Sequence, residues 1–260
     1  MAERPPASSA VGICLLFPDL LGTYGDRGNA TVLARRLEWR GIPSAVVEVH
    51  AGGTIPLDCD LYVLGGGEDF AQQHALEQLR GGGLATAVER GAALLAVCAG
   101  YQLIGSSYEV EPGQAQGGLG LLDVETVRGL GPRQVGEVTV TTDLEGVEVL
   151  RGYENHAGIT HGGDEDVLGR RRDPEGRDRG PEGAVRGNVV GTYLHGPVLA
   201  RNPSLADWLL RRVVGTLGPL DDRGTAAAEA HERALHADRI TAPPAPSGSW
   251  RSRLGRAGSR

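Results

Sequence analysis

Apolar runs separated by amphipathic stretches dominate the first part of the chain. "VGICLLF" (11–17), "SAVVEVH" (44–50), "DLYVLGGGED" (60–69) and "AALLAV" (92–97) carry four such runs, the third broken off by glycines. Continuous apolar runs of this length predict strands buried in a parallel sheet. Between them, "ATVLARRLEWRG" has apolar positions at helical spacing, with Asn29 as N-cap and Gly41 as stop. "FAQQHALEQLR" and "LATAVERG" predict two further helices. Strands alternating with helices imply βαβ units, and ligands of such sheets lie beyond the carboxyl ends of the strands. The loop "YGDRGN", the glycines of "GGGED" and Cys98 all fall at those ends.

The second half follows a period of two. "GLGLLDVETV", "QVGEVTVTT" and "GTYLHG" predict strands of an antiparallel extension. "HGGDEDVLGRRRDPEGRDRGPEG" (161–183) is polar and charged and reads as a surface loop. "PSLADWLLRRVVG" predicts a helix with Pro203 in its first turn. The expected fold is therefore α/β, a central mostly parallel sheet flanked by helices with an antiparallel extension. Residues 1–10 read as a disordered leader and 11–217 as the folded domain. Residues 218–260 read as a C-terminal helix followed by a disordered basic tail.

Composition narrows the chemistry. A net charge of -7 argues against general nucleic-acid affinity. No apolar stretch predicts a transmembrane helix and the N-terminus is no secretory signal, so a cytoplasmic protein is expected. The three cysteines, Cys14, Cys59 and Cys98, are widely spaced, which excludes a CxxC redox motif or a standard zinc site. The chain contains no lysine. That rules out a P-loop, whose lysine must reach the phosphates, and a Schiff-base lysine.

Cys98 stands apart from the other two cysteines. Cys14 sits inside an apolar strand and Cys59 between two aspartates, whereas Cys98 lies where strand turns to helix, among Ala96, Ala99 and Gly100. Small neighbours at such a junction suit a nucleophile elbow, and the following helix N-terminus is expected to favour thiolate. Of the seven histidines, His195 is the expected proton carrier, held between "GTYL" and the Gly196-Pro197 turn, with His156 second. The "GGGED" glycines read either as a turn or as a source of N–H groups for an oxyanion.

Together, "AVCAGYQ", "GGGED" and "GTYLHGP" resemble the class I, triad-type glutamine amidotransferases, in the branch found in cobyric and cobyrinic acid synthases. "YGDRGN", "GYENHAG" and "GTYLHGPVLARNPSLADWLL" look more closely like the GatD glutaminase subunits of lipid II isoglutaminyl synthases, which work with MurT, a Mur-ligase-like partner. The resemblance covers roughly Val11 to Gly215 and implies a flavodoxin-like amidotransferase fold. It implies that Cys98 attacks the amide carbon of L-glutamine, that His195 moves the protons, and that N–H groups of Ala99 and the Gly66-Gly67 loop hold the oxyanion. It gives Arg133 the substrate α-carboxylate, with Gln102, Asn155 and His156 as pocket residues. No metal or cofactor is expected on this chain, with ATP and Mg²⁺ on the partner of a heterodimer. The acceptor implied is the D-glutamate α-carboxylate of the lipid II stem peptide, reached at the inner face of the membrane, in peptidoglycan synthesis.

Two departures from the family pattern matter. Ala96 replaces the usual elbow glycine, a small change. Many triad enzymes read His-Pro-Glu, but here Pro197 stands where the glutamate would orient the imidazole, so the missing carboxylate is expected from the partner. Rival readings are amidation of a corrinoid, a binding module with a dead site, and a DJ-1/PfpI-type cysteine hydrolase.

Overall fold

The computed structural model describes residues 10–22, 25–162 and 167–220. Met1–Gly218 forms one compact unit and Pro219–Arg260 another. The expected leader and the expected C-terminal helix and tail lie, but for their innermost residues, outside the described residues.

The apolar runs become the core strands. β1 (Val11–Leu16), β2 (Ser44–Val49), β3 (Leu61–Leu64) and β4 (Ala93–Val97) pair in parallel in the order β2-β1-β3-β4. β3 and β4 are buried at every position, which is why they read as unbroken apolar runs, while β2 exposes Ala45 through Glu48 as an edge strand. The helices α1 (Arg27–Glu38), α2 (Asp69–Leu79), α3 (Gly83–Glu89) and α4 (Ala99–Ile104) alternate with these strands.

The chain then makes β5 (Ser107–Glu111), β6 (Gln114–Gly117), β7 (Val124–Arg128), β8 (Gln134–Leu144), β9 (Val147–His156) and β10 (Gly158–Gly162). It continues with β11 (Val167–Arg172), β12 (Asp178–Arg186) and β13 (Val189–Thr192), and ends in α5 (Val198–Arg201) and α6 (Pro203–Val214). β13 returns to pair in parallel with β4, and the antiparallel strands β12, β11, β8 and β9 extend the sheet beyond it. A separate four-stranded sheet runs β10-β7-β5-β6.

Three expectations are corrected. Asn29 is not an N-cap: α1 starts at Arg27, and the buried Asn29 side chain instead accepts the Leu199 N–H at 3.0 Å. The charged stretch 161–183 is no simple loop, because β11 and much of β12 lie within it. Its arginines hid the pattern: Leu168 and Gly169 are buried, while Arg170 and Arg172 reach Asp178 across the hairpin at 3.6 and 3.8 Å. "GTYL" is strand only to Thr192, so Tyr193 and Leu194 lie past the strand end.

α1 packs with α5 and α6. Arg36 of α1 and Arg40, two residues past its end, share Asp207 of α6, with N–O distances of 2.7 and 2.6 Å. This clamp ties the first helix of the fold to the last. Among the described residues no helix is long and apolar enough to cross a membrane.

Candidate active site

Cys98 joins β4 to α4 at φ +53°, ψ -107°. A side-chain-bearing residue seldom takes a positive φ, and the strain persists only where the surroundings enforce it. They do so here. The Cys98 N–H donates to Thr192 O at 2.8 Å on one side, and its own carbonyl accepts the Gln102 N–H at 3.1 Å on the other. Gly100 next in line donates to Gly65 O at 3.1 Å, which brings the helix start onto the loop after β3. The result is a sharp strand-to-helix elbow with the sulfur at its apex.

A cleft opens over this elbow. Cys98, Ala99, Gln102, Gly67, Arg133, Asn155 and His156 all line it, so seven residues singled out from sequence meet in one place. The far wall comes from the small sheet, with Tyr108, Thr126 and Arg128 among its residues. Arg133 is held by Asn155, its Nε donating to Oδ1 at 3.1 Å and its Nη2 to the backbone carbonyl at 2.9 Å. Gln102 is tied into the wall: its Oε1 accepts from Gln72 at 2.7 Å and its Nε2 donates to the Tyr193 hydroxyl at 3.2 Å. His156 stacks on the Tyr193 ring with centroids 3.7 Å apart, and its Nδ1 meets Gly158 O at 2.8 Å. Its ring lines the cleft, and its Nε2 lies 3.7 Å from Glu154 Oε2.

His195 and Gly66 are buried beside the cleft rather than on its lining. His195 is clamped to β9 by two backbone hydrogen bonds with Tyr153, at 2.9 and 3.1 Å. It follows β13, the strand next to the one that delivers Cys98, so both side chains emerge from neighbouring strand ends. The Gly66 N–H is not available to an oxyanion, because it donates to Asp26 Oδ2 at 2.8 Å. Of the residues expected to supply oxyanion N–H groups, Gly67 and Ala99 line the cleft.

Asp26 is the residue that sequence reasoning missed. It is fully buried, and its Oδ1 lies 4.0 Å from His195 Nδ1. The motif "YGDRGN" had drawn attention to this loop, but nothing in its spacing points an acid at a histidine far along the chain.

Burial sets the protonation states. It pushes the Cys98 thiol up to about 12, helped by the Asp26 carboxylate and opposed by the Ala99 N–H and the Arg133 charge. The expected thiolate is thus overturned: α4 is a helix of only six residues, and its N-terminal field loses to desolvation. Burial, with nearby His156, lowers His195 to about 4, so its imidazole is neutral near pH 7. Asp26 is raised to about 6 by burial, against the Gly66 N–H. The site holds a neutral thiol, a neutral imidazole and, above pH 6, a carboxylate. Among the described residues no group of three or more His, Cys, Asp or Glu side chains could hold a metal ion.

The model of the CobB/CobQ-like glutamine amidotransferase domain matches residues 12–203. The chain belongs to this family. As a glutamine amidotransferase it is 36% identical over 203 residues to the GatD subunit of the glutamine-hydrolysing lipid II isoglutaminyl synthase of Staphylococcus aureus, across 75% of this chain and 80% of that protein. The GatD subunit of Streptococcus pneumoniae is 30% identical over 75% of this chain and 77% of its own length. A cobyric acid synthase of Methylorubrum populi is 39% identical, but the amidotransferase spans only 35% of that longer protein. Among solved structures, a glutamine amidotransferase crystal structure aligns with a TM-score of 0.53 at 21% identity, covering 79% of this chain and 100% of that one. The glutaminase domain of Trypanosoma brucei CTPS with bound acivicin aligns at 0.52 and 12% identity, over 82% and 97%. Those two likenesses concern the fold.

Proposed function

We propose that this amidotransferase is the glutaminase subunit of a lipid II isoglutaminyl synthase and that Cys98 is its nucleophile. The observation that carries the reading is the strained elbow at Cys98, opening into a cleft that is also lined by Arg133, held by Asn155. A planar, always-charged guanidinium suits the α-carboxylate of L-glutamine, and the side-chain amide then reaches the sulfur.

The chemistry follows from the resting protonation states. As Cys98 Sγ attacks the amide carbon, its proton passes to neutral His195. The N–H groups of Ala99 and Gly67 receive the developing oxyanion. His195 then gives the proton to the amide nitrogen, the C–N bond breaks, and ammonia leaves a cysteinyl thioester. Water, deprotonated by His195, hydrolyses the thioester to glutamate and restores the thiol. Ammonia passes to a Mur-ligase-like partner subunit, MurT by similarity to the GatD proteins. That subunit would use ATP and Mg²⁺ to activate the D-glutamate α-carboxylate of the lipid II stem peptide and form D-isoglutamine, within peptidoglycan synthesis at the inner face of the membrane. Corrinoid amidation is the weaker reading, since the cobyric acid synthase matches this chain over a minor part of its length.

The test is glutamate release from L-glutamine and D-isoglutamine formation on lipid II by the chain with its Mur-ligase-like partner, ATP and Mg²⁺. Both products with the wild-type chain, and neither with Cys98→Ser, support the reading. Unchanged release by Cys98→Ser removes the nucleophile. Glutamate release without lipid II amidation removes the acceptor.

A further inference from the structure

Asp26 is fastened on three sides. Its Oδ2 accepts the Gly66 N–H at 2.8 Å, and Asn29 Nδ2 approaches its Oδ1 at 3.5 Å. Gly65 has no room for a side chain, because a Cβ there would lie 2.9 Å from the Asp26 Cβ. Held in this way, the carboxylate presents Oδ1 to the His195 imidazole, whose Nδ1 lies 4.0 Å away.

The segment after His195 explains why Asp26 is there. Pro197, in the position where triad enzymes carry the orienting glutamate, packs against Gly28 so closely that a Cβ on Gly28 would overlap its ring. Asn29 accepts the Leu199 N–H one turn further on. These contacts draw the start of α1 against the His195 segment, and Asp26 is the residue immediately before that helix.

We propose that Asp26 is the positioning carboxylate of this site, holding the His195 imidazole with its proton on Nδ1 and coupling it to the Gly66-Gly67 loop. The proposal rests on the reading of Cys98 and His195 given above. Fixed in that tautomer, Nε2 is the atom that takes the thiol proton, and the imidazolium formed on transfer meets an anion already in place. At 4.0 Å the pair is not hydrogen-bonded, and catalytic contacts that are long without substrate commonly tighten in the substrate complex. The same carboxylate fixes Gly66, so the loop that presents the Gly67 N–H and the base that moves the proton share one anchor. Asp26 is faced by His195 from the segment after β13, by Cys98 from the elbow after β4, by the Gly66 N–H from the loop after β3, and by Asn29 from its own helix. Raised by burial to about 6, it is ionised at neutral pH and protonated in mild acid.

The experiment compares wild type, Asp26→Asn and Cys98→Ser, each full chain assembled with its Mur-ligase-like partner, by glutamate release across pH 4 to 9. Asn keeps an acceptor for the Gly66 N–H and removes only the charge. The expected result is a fall in kcat of roughly 100- to 10,000-fold with KM for glutamine within about threefold, together with loss of the wild-type acid limb near pH 6. Asp26→Glu, which restores the anion, should recover part of kcat. Asp26→Asn with kcat within twofold of wild type and the same acid limb overturns the proposal, and assigns any needed carboxylate to the partner. Cys98→Ser separates the two ideas: if it is inactive while Asp26→Asn is active, only this proposal fails, and if it stays active the whole site reading fails. Should Asp26→Asn not fold, the ¹⁵N shifts of His195 in the wild-type chain decide, a proton on Nδ1 supporting the proposal and a proton on Nε2 overturning it.

Discussion

Asn155 grips Arg133 twice, once through its side chain and once through its backbone, at 3.1 and 2.9 Å. The guanidinium is thereby fixed at the lining of the cleft although it sits at an exposed position. Arg133→Ala should raise KM for glutamine about 10- to 100-fold, the worth of a charge-assisted contact of about 1.5–3 kcal/mol, with a smaller change in kcat. Asn155→Ala removes only one of the two fastenings and should cost less. In a double-mutant cycle the second substitution should add little to the first, and full additivity of the two KM effects would show that they act apart.

The thiol of Cys98, pushed up to about 12, should be slow to alkylate at neutral pH. Only the thiolate reacts, and its fraction grows tenfold per pH unit below the pKa. Inactivation by iodoacetamide without glutamine should therefore climb through pH 7 to 10 with no plateau. A plateau reached by pH 7 would show a preformed thiolate, the state that the helix N-terminus alone would have favoured.

Gly28 bears on rate as well as packing. A methyl group there must displace Pro197, whose ring cannot rotate away. Gly28→Ala should cost about 1–3 kcal/mol in denaturant unfolding, as overpacking does, and should lower kcat because Asp26 and His195 flank the contact. A variant with wild-type kcat would mean that the helix start can move without disturbing the base.

Asp207 pairs with two buried arginines, Arg36 and Arg40, whose side chains are 3% and 5% exposed. Removing one partner of a buried cluster leaves charge stranded, so Asp207→Ala should destabilise by about 3–5 kcal/mol. The arginines hold its carboxyl below the usual range against the opposing effect of burial. Its stabilising contribution is then complete above the unfolded value near 3.8 and is lost as pH falls toward the lower folded value. Chemical denaturation at pH 7 and pH 3 should show the gap between wild type and Asp207→Ala shrinking in acid.

How legible the protein was depended on where each residue's partners lie. β1, β3 and β4 were readable because burial on both faces writes itself as an unbroken apolar run, and the Cys98 elbow because small residues crowd a strand end. β11 and β12 were not, since antiparallel strands facing water are rich in arginine and aspartate and look like loop. The Gly66 N–H was expected to serve an oxyanion, yet it is committed to Asp26, a contact between distant stretches of chain. Asp26 escaped for the same reason: its neighbour His195 is brought to it only when β13 inserts beside β4 and Pro197 seats on Gly28. The protonation of Cys98 was misjudged because local helix polarity is visible in sequence and desolvation is not.

The parallel pairing of β13 with β4 has an evolutionary reading. Cys98 and His195 are separated by nearly a hundred residues of chain, yet the strands that lead to them are neighbours in one sheet, about 4.8 Å apart. Everything between them, from α4 to β12, is an excursion in sequence between two neighbouring strands, and it builds both the small sheet and the antiparallel extension. Arg133, Asn155 and His156 all belong to that excursion. Lineages can thus lengthen, shorten or redecorate it, and with it the choice of guest, while the reacting pair stays in register.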